Sequence, residues 1–397
     1  MASGTVGVIF MAAVTSVTGI VMAPLMAQFG WSRALITANV LISSTMTLLL
    51  APVVGHLVSA YGARRCAMTA IALSAPALVL IGLSGGSPWT WIGTWIVFSV
   101  VNVGLSPMVW SSAVAGLFDR ARGIALAITL SGAGVAFIVF PPFAVLILEH
   151  FGWRGVYFGL AIMMVAIMLP LAFAWFYARE DLSAREGVSA GDHAVGKPAG
   201  FALSQALRMR QFWQFALLAF LLALAEGAMQ IHLFPILHEG GIAPVVAAWI
   251  ASLMGVAMIV GRLLAGLLLD LLPPVPVFVT SILLVLASCL LARQFDGSAA
   301  LGAAIALSLG LGTGGTTNAL AYLSSRYFGL AAYASIYGLL MGAFSIGYGI
   351  APVVAGHMRE GAQSYAPIFN WLLAALTMST VLTLALGRPK ALPTQAN

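Results

Sequence analysis

The sequence has 397 residues, of which 61% are hydrophobic and 7% are charged, with a formal net charge of +6 at pH 7. A soluble domain has about 25% charged residues, so this chain lacks the polar side chains that a hydrated surface requires. These values exclude a soluble globular protein and indicate one with several membrane spans. The positive charges are scattered over short loops, which favours the lipid bilayer over nucleic acid as a partner.

Twelve segments are apolar and long enough to cross a bilayer, which takes about 20 residues of helix. Turn-forming sequences such as SGGSP and LLPPVP separate them. The first segment lacks the basic flank of a signal peptide, so we expect it to be retained as a span. In chain order, the predicted spans cover residues 4–27, 34–58, 66–84, 89–116, 123–148, 155–177, 212–237, 245–270, 276–292, 299–324, 331–356 and 366–386.

Twelve spans place both termini on one side of the membrane. Cytoplasmic loops carry an excess of Lys and Arg, so we expect cytoplasmic termini in a multi-pass protein of a bacterial inner membrane. Trp31, Trp89, Trp91 and Trp153 fall at the predicted outer span ends, where we expect an aromatic belt. The predicted cytoplasmic set is Arg64, Arg65, Arg120, Arg122, Arg179, Arg185, Lys197, Arg208, Arg210, Arg326, Arg388 and Lys390, and the outer set is Arg33, Arg154, Arg293 and Arg359.

The predicted spans fall into two halves joined by one long polar segment. We assign residues 1–178 to an N-terminal six-helix bundle, 179–210 to a cytoplasmic linker and 211–397 to a C-terminal six-helix bundle. Matching residues recur at an offset of 210 along the whole half, which predicts two parallel repeats, as in two-bundle secondary transporters. The pairs are Gly30 and Gly240, Gly104 and Gly314, Phe118 and Phe328, Gly132 and Gly342, and Pro142 and Pro352.

Five motifs spread over almost the whole chain carry a family resemblance. They are FGWSRALIT at 29–37, GHLVSAYGARR at 55–65, GRLLAGLLLD at 261–270, RYFGLAAYASIYGLLMG at 326–342 and APVVAG at 351–356. The second resembles the loop motif of the major facilitator superfamily. The others resemble the branch of monocarboxylate transporters and oxalate/formate antiporters. The resemblance implies an all-helical membrane fold of two six-helix bundles and a transport function.

The sequence departs from the family pattern at three places. Ser59 and Ala60 replace the acidic and basic residues of the inner-loop motif, so the usual charged gate is incomplete. Met258 replaces an acidic residue of animal monocarboxylate transporters, so proton coupling does not transfer to that position. Residues 331–357 contain no lysine, whereas the oxalate antiporter uses a lysine in span eleven. A substrate with one carboxylate is therefore favoured over a dianion.

Arg262 lies in the apolar sequence MIVGRLLAG of the eighth predicted span, where an arginine costs about 2.5–3.5 kcal/mol on insertion scales. Its planar guanidinium can hold a carboxylate through two hydrogen bonds. Together with the resemblance, this favours Arg262 as the group that binds the carboxylate of the substrate. The alternative is a permanent internal ion pair, or a side chain that reaches the membrane surface, although Asp270 is about 12 Å away along the helix.

Glu226 is the acidic residue that lies well inside a predicted span, in LLALAEGAMQIHLF. Burial favours the protonated form of a carboxyl group, so Glu226 is the leading candidate for a proton carrier. Arg262 lies at comparable depth on the neighbouring span, which leaves a static ion pair or simple packing as alternatives. His232 is a second candidate for proton coupling, or a hydrogen-bonded core histidine.

Polar residues inside spans one, four and ten complete the candidate substrate site, because the resemblance implies that these spans line the cavity. Each could instead form a hydrogen bond between helices. They are Thr15, Thr18, Asn102, Asn318 and Tyr322.

The glycine-rich sequence GLGTGGTTN at 310–318 lacks the lysine and the preceding strand of a phosphate loop. We expect it, like Gly338 and Gly342, to allow close helix packing. Cys66 and Cys289 fall near opposite membrane faces, so we expect no disulfide between them. No residue pattern indicates an enzyme, a metal site or a cofactor.

The sequence thus predicts a secondary active transporter that moves a small organic anion, a monocarboxylate, by alternating access and together with protons. Proton-driven efflux of lipophilic compounds, carboxylate exchange and a non-transporting metabolite sensor are the alternatives.

Overall fold

The computed structural model describes residues 2–106, 109–110, 128–176, 200–329 and 331–387. These residues form helices and their connections, apart from an isolated bridge between Gly200 and Gly329. Cys66 and Cys289 are free thiols. The helices are α1 (Ala2–Phe29), α2 (Arg33–Tyr61), α3 (Ala63–Gly82), α4 (Pro88–Asn102), α5 (Gly132–Met163), α6 (Leu169–Trp175), α7 (Leu203–Ala206), α8 (Arg210–Glu239), α9 (Pro244–Leu271), α10 (Pro274–Arg293), α11 (Ala299–Phe328), α12 (Tyr333–Ala362) and α13 (Ala366–Leu384).

The fifth and sixth predicted spans form one apolar stretch that folds back on itself. Eleven helices in the described residues are long and apolar enough to cross a membrane, and one of them covers the 47 residues 128–174. A straight helix of that length would measure about 70 Å, more than twice the bilayer core. Instead the chain turns at Gly152, where φ is 68°, and Phe143 lies against Gly159 on the returning arm. Two crossings in this stretch agree with the twelve predicted spans.

The helices form two bundles, α1 to α6 and α8 to α13, that meet along seams. α2 packs along α12, α5 packs along α9, and α1 packs on α8. The offset of 210 residues relates α5 to α12 and α2 to α9, so the first two seams are equivalent in the repeat. We call the end of the molecule that carries Arg33 and Glu239 the Arg33 face. The opposite end, which carries Ala2 and Leu384, is the terminal face.

The end of the predicted linker packs on the C-terminal bundle. The backbone N–H of Phe201 donates to the carbonyl of Phe328 at 2.9 Å, and α7 follows. Most of the linker, and the predicted ends of spans four and five at 111–116 and 123–127, lie outside the described residues. The domain boundaries at 178 and 210 therefore stay predictions.

Three of the four tryptophans assigned to an aromatic belt lie in the interior of the N-terminal bundle. Trp89 is 80% exposed, as a belt residue would be. Trp31, Trp91 and Trp153 are buried, and the centroid of the Trp91 ring lies 5.4 Å from that of Trp31 and 6.5 Å from that of Trp153. The belt prediction is wrong for these three, because a belt and an aromatic core at a span end have the same composition.

Glycines allow α11 to contact α9 closely. A Cβ atom on Gly314 would lie 2.1 Å from the carbonyl oxygen of Met258, which confirms the packing role predicted for GLGTGGTTN. A Cβ atom on Gly342 would lie 2.9 Å from Cδ1 of Leu48 across the α2–α12 seam. Gly338 has no described atom within 4 Å of such a Cβ. The packing prediction is wrong for Gly338, which faces open space.

Gly255 on α9 is the point where α5 and α9 touch across their seam. A Cβ atom there would lie 2.4 Å from the Gly134 carbonyl oxygen and 2.8 Å from the Ile138 backbone nitrogen, so Gly255→Ala forces the helices apart. Overpacking of this kind costs about 1–3 kcal/mol, and we expect a lower unfolding temperature in detergent. Gly338→Ala is the control and should leave that temperature unchanged. Equal temperatures for the two variants would contradict a tight seam.

Candidate functional site

A central cavity of about 340 Å³ lies between the two bundles. Helices α1, α2 and α5 line one side of it, and α8, α9, α11 and α12 line the other. Two-bundle transporters bind their substrates between the repeats in this way. Glu226 is the one acidic residue in the described lining. That lining consists of Met11, Ala12, Thr15, Ser44, Ala133, Phe137, Glu226, Gln230, Met258, Thr313, Thr317, Phe344, Ser345 and Tyr348.

Glu226 on α8 is held in place by α11. Its side chain is buried, at 1% exposure, and the Thr316 hydroxyl donates a hydrogen bond to its Oε1 at 2.7 Å. A buried carboxyl group needs such a donor because it has lost its water. The arrangement fixes the carboxyl group at the wall of the cavity, within reach of a bound molecule.

A second polar pair in the lining joins α8 to α12. The Tyr348 hydroxyl donates to Oε1 of Gln230 at 3.1 Å, and the Tyr348 ring stacks on Phe344 with 6.2 Å between centroids. Sequence reasoning missed these residues. Gln230 carried a usable signal, because it follows Glu226 by four positions and therefore shares its helix face.

The face of helix α11 that lines the cavity carries Thr313 and Thr317, and not the predicted residues Asn318 and Tyr322. Thr313 and Thr317, four residues apart, belong to the lining, and Asn318 lies about 100° further around the helix. The Asn318 side chain donates to the backbone carbonyl of Arg262 at 2.7 Å, and Tyr322 packs against the hydrophobic core. Neither Asn318 nor Tyr322 is in the described lining, and their role in substrate binding stays a prediction.

Arg262 lies one helical turn from the cavity lining, toward the terminal face. It follows Met258 by four positions, so the two residues share a face of α9. Its Nη1 donates to the backbone carbonyl of Leu130 at 2.5 Å. Arg262 and Glu226 form no ion pair in the described structure. In this conformation the guanidinium joins the two bundles through a carbonyl group.

Of the three candidates in the N-terminal bundle, Thr15 belongs to the cavity lining. Thr18 is buried, and its hydroxyl accepts a hydrogen bond from Nδ2 of Asn39 on α2 at 3.1 Å. Thr18 therefore forms a hydrogen bond between helices α1 and α2, which is the alternative to substrate binding predicted from the sequence. Asn102 ends α4, and its Oδ1 is buried with no hydrogen-bond partner among the described residues. Thr18 and Asn102 are not in the described lining, so their binding role stays a prediction.

His232 lies about 9 Å beyond Glu226 along α8, toward the Arg33 face. It is buried, with Nε2 at 3.1 Å from the Pro352 carbonyl oxygen and Nδ1 at 3.3 Å from the Tyr365 hydroxyl. Burial, with Glu239 nearby, raises the pKa of Tyr365, so its hydroxyl stays protonated and can donate to Nδ1. Both ring nitrogens have partners, as in a core histidine, and a role in proton coupling stays a prediction.

Two repeated bundles, with a cavity at their interface that contains a buried carboxyl group, define a membrane transporter of the two-bundle class. The family model of the Major Facilitator Superfamily matches residues 4–240 and 225–396. The chain belongs to the major facilitator superfamily.

Two named relatives share part of this sequence. Monocarboxylate transporter 13 of Bos taurus is 25% identical over 332 residues, which are 80% of this chain and 72% of that protein. The uncharacterized MFS-type transporter YcxA of Bacillus subtilis (strain 168) is 27% identical over 265 residues, 63% of this chain and 60% of that protein. The similarity thus includes a protein of the branch that the motifs resemble.

Solved structures share the fold. A bacterial homologue of the human lysosomal transporter Spinster, inward-facing and occupied, matches with a TM-score of 0.75 at 13% identity, over 98% of this chain and 95% of that one. A variant of the nucleoside transporter NupG matches with a TM-score of 0.75 at 12% identity, over 97% of this chain and 98% of that one. The predicted major facilitator fold is confirmed.

Proposed function

We propose that this transporter carries a small organic anion with a single carboxylate group, together with a proton. One arrangement supports the proposal: Glu226 lines the cavity between the bundles, and Arg262 lies one turn from that lining on the adjacent helix. A group that can carry a proton and a group suited to a carboxylate are therefore available to one bound molecule. The bovine relative is named as a monocarboxylate transporter, which supports the same substrate class.

Arg262 binds the substrate, in this proposal, after it leaves the carbonyl of Leu130. A guanidinium has five N–H donors, and the carbonyl occupies Nη1. The two bundles rock against each other during alternating access, so movement of α5 relative to α9 separates Arg262 from Leu130. The freed guanidinium then turns toward Met258 and the cavity, where it meets the carboxylate of the substrate.

Glu226 carries the proton in this proposal. A protonated Glu226 can still accept the Thr316 hydrogen bond through its carbonyl oxygen, so the side chain keeps one position in both protonation states. An anion that crosses with a proton adds no net charge to the apolar interior. This avoids the cost of burying an unpaired charge.

The orientation of the chain is part of the proposal. Arg64 and Arg65 lie in the first turn of α3, Arg208 precedes α8 and Arg210 begins it, all at the terminal face. Their positive charge supports a cytoplasmic terminal face. The Arg33 face is then the outer one.

A second function has one observation in its favour. Met11, Phe137, Met258 and Phe344 give the cavity a largely apolar wall, which suits lipophilic compounds. Glu226 would then act as the proton-driven switch of an efflux pump. Proton-driven transport of lipophilic cations, without carboxylate uptake, would favour this function over the first.

Arg262→Lys tests the carboxylate site. Lysine keeps the charge but lacks the planar fork that makes two parallel hydrogen bonds. A hydrogen bond to a charged group contributes about 1.5–3 kcal/mol, so we expect the apparent affinity for the substrate to fall by roughly tenfold or more. The measurement is uptake of labelled monocarboxylates by proteoliposomes. Arg326→Lys, at an exposed position of α11, is the control and should transport normally; normal affinity in Arg262→Lys would contradict two-bond carboxylate binding.

Glu226→Gln tests the proton carrier. Glutamine keeps an acceptor for Thr316 but cannot release a proton, so we expect a folded protein that exchanges substrate but no longer accumulates it under a pH gradient. Counterflow and gradient-driven uptake in proteoliposomes separate the two activities.

Glu149→Gln is the control for this experiment, because Glu149 is exposed near the Arg33 face. It should behave as the unsubstituted protein does. Accumulation driven by a pH gradient in Glu226→Gln would remove Glu226 from the mechanism. A Glu226→Gln protein that fails to fold would instead indicate that the carboxyl group of Glu226 has a structural role.

A further inference from the structure

Charged and polar side chains join the two bundles at the Arg33 face. Arg33, the first residue of α2, donates from Nη1 to Oε1 of Glu239 at 2.5 Å and to the Tyr365 hydroxyl at 3.3 Å. Its backbone N–H donates to the Glu360 carboxylate. We call Arg33, Glu239, Glu360 and Tyr365 the Arg33 network.

The network is asymmetric, because one residue of the N-terminal bundle contacts three residues of the C-terminal bundle. Glu239 ends α8, Glu360 is near the end of α12, and Tyr365 precedes α13. The Glu360 carboxylate also lies at the N-terminus of α2, where the free N–H groups and the helix dipole favour a negative charge. Loss of the Arg33 side chain removes two bonds between the bundles, whereas loss of Glu239 or Tyr365 removes one.

The acceptors of Arg33 are held in place within their own bundle. Oε2 of Glu239 accepts a hydrogen bond from Nη2 of Arg359 at 3.0 Å, and the Tyr365 hydroxyl lies 3.3 Å from Nδ1 of His232. A lone exposed ion pair contributes little to stability. The Arg33 side chain, however, is only 13% exposed, and its partners lose little freedom when it binds because they are already ordered.

The backbones of the two bundles touch next to the network, and again deeper in the α1–α8 seam. A Cβ atom on Gly356 of α12 would lie 2.9 Å from the Ala34 nitrogen of α2, and one on Gly19 of α1 would lie 2.4 Å from the Ile231 carbonyl oxygen of α8. The α2–α12 seam is therefore closed at the Arg33 face. The α1–α8 seam closes about 12 Å deeper, beneath a cavity of about 510 Å³ whose lining includes Arg33 and Glu239. The network spans the end of the α2–α12 seam.

We propose that Arg33 is a gating residue, whose side-chain bonds hold the Arg33 face closed and break before the cavity opens toward that face. In alternating access the two faces open in turn around one site. A bond that exists in one state shifts the population toward that state. The proposal needs the fold but not the identity of the substrate, so it and carboxylate transport can fail independently.

Thr37 provides a site for measuring this opening, because it lies one turn from Arg33 on α2 and is buried. Thr37→Cys, in a background with Cys66→Ala and Cys289→Ala, places a single thiol beneath the network. The rate of its labelling by a water-soluble maleimide is measured on the purified protein. Adding Arg33→Ala is expected to raise that rate by about tenfold or more, which corresponds to about 1.4 kcal/mol in the closed-to-open equilibrium.

Arg359→Ala is the matched control, because Arg359 pairs with Glu239 inside the C-terminal bundle. This substitution leaves both side-chain bonds of Arg33 in place. It loosens Glu239 but removes no bond between the bundles, so it is expected to raise the labelling rate much less than Arg33→Ala does. Glu239→Gln and Tyr365→Phe should each raise the rate less than Arg33→Ala does. Circular dichroism and gel filtration establish that each variant is folded. An unchanged rate in folded Arg33→Ala, or an equal increase in Arg359→Ala, overturns the gating role.

Discussion

A charged side chain inside this helix bundle needs a partner from the protein, because the hydrocarbon core of a bilayer supplies no water. Glu226 and Arg262 meet this requirement in different ways. The Thr316 hydroxyl donates a hydrogen bond to Glu226 within the C-terminal bundle. Arg262 instead donates to the carbonyl of Leu130, which belongs to the other bundle. Movement between the bundles therefore leaves Glu226 satisfied but deprives Arg262 of its partner. In the proposed mechanism the carboxylate of the substrate takes the place of Leu130.

The contacts that close the structure lie on both sides of this centre. At the Arg33 face, Arg33 joins α2 to the C-terminal bundle. Nearer the terminal face, Arg262 joins α9 to Leu130, which lies just before α5. The two seams involved are equivalent in the 210-residue repeat. Each uses an arginine of one bundle and acceptors of the other.

Much of the fold could be predicted from the sequence, because span length and hydropathy are local properties. The site was harder to predict, because its geometry depends on which face each helix presents. Glu226 and Thr15 were found as polar residues in apolar spans. Tyr348 was missed because nothing local indicates that it meets Gln230 on another helix. The Leu130 carbonyl was missed because a backbone acceptor carries no sequence signal.

The helix α11 and the tryptophans show the same limit. One position of difference, from Thr317 to Asn318, rotates a residue out of the cavity wall by about 100°. Trp91 and Trp153 have the composition and span-end position of belt residues, yet they pack inside the bundle. Composition determines that such residues lie near a membrane face. Tertiary packing determines whether they point toward lipid or protein.

The central claim, that one carboxylate crosses together with one proton, is tested most directly by uptake of labelled monocarboxylates and dicarboxylates into proteoliposomes, with and without an imposed pH gradient. The account predicts that a monocarboxylate is the best substrate, because the described lining and its surroundings offer one cation, Arg262. It also predicts that a gradient with the acidic side at the substrate source drives accumulation. A dicarboxylate as the best substrate, or monocarboxylate uptake that ignores the pH gradient, would contradict the account.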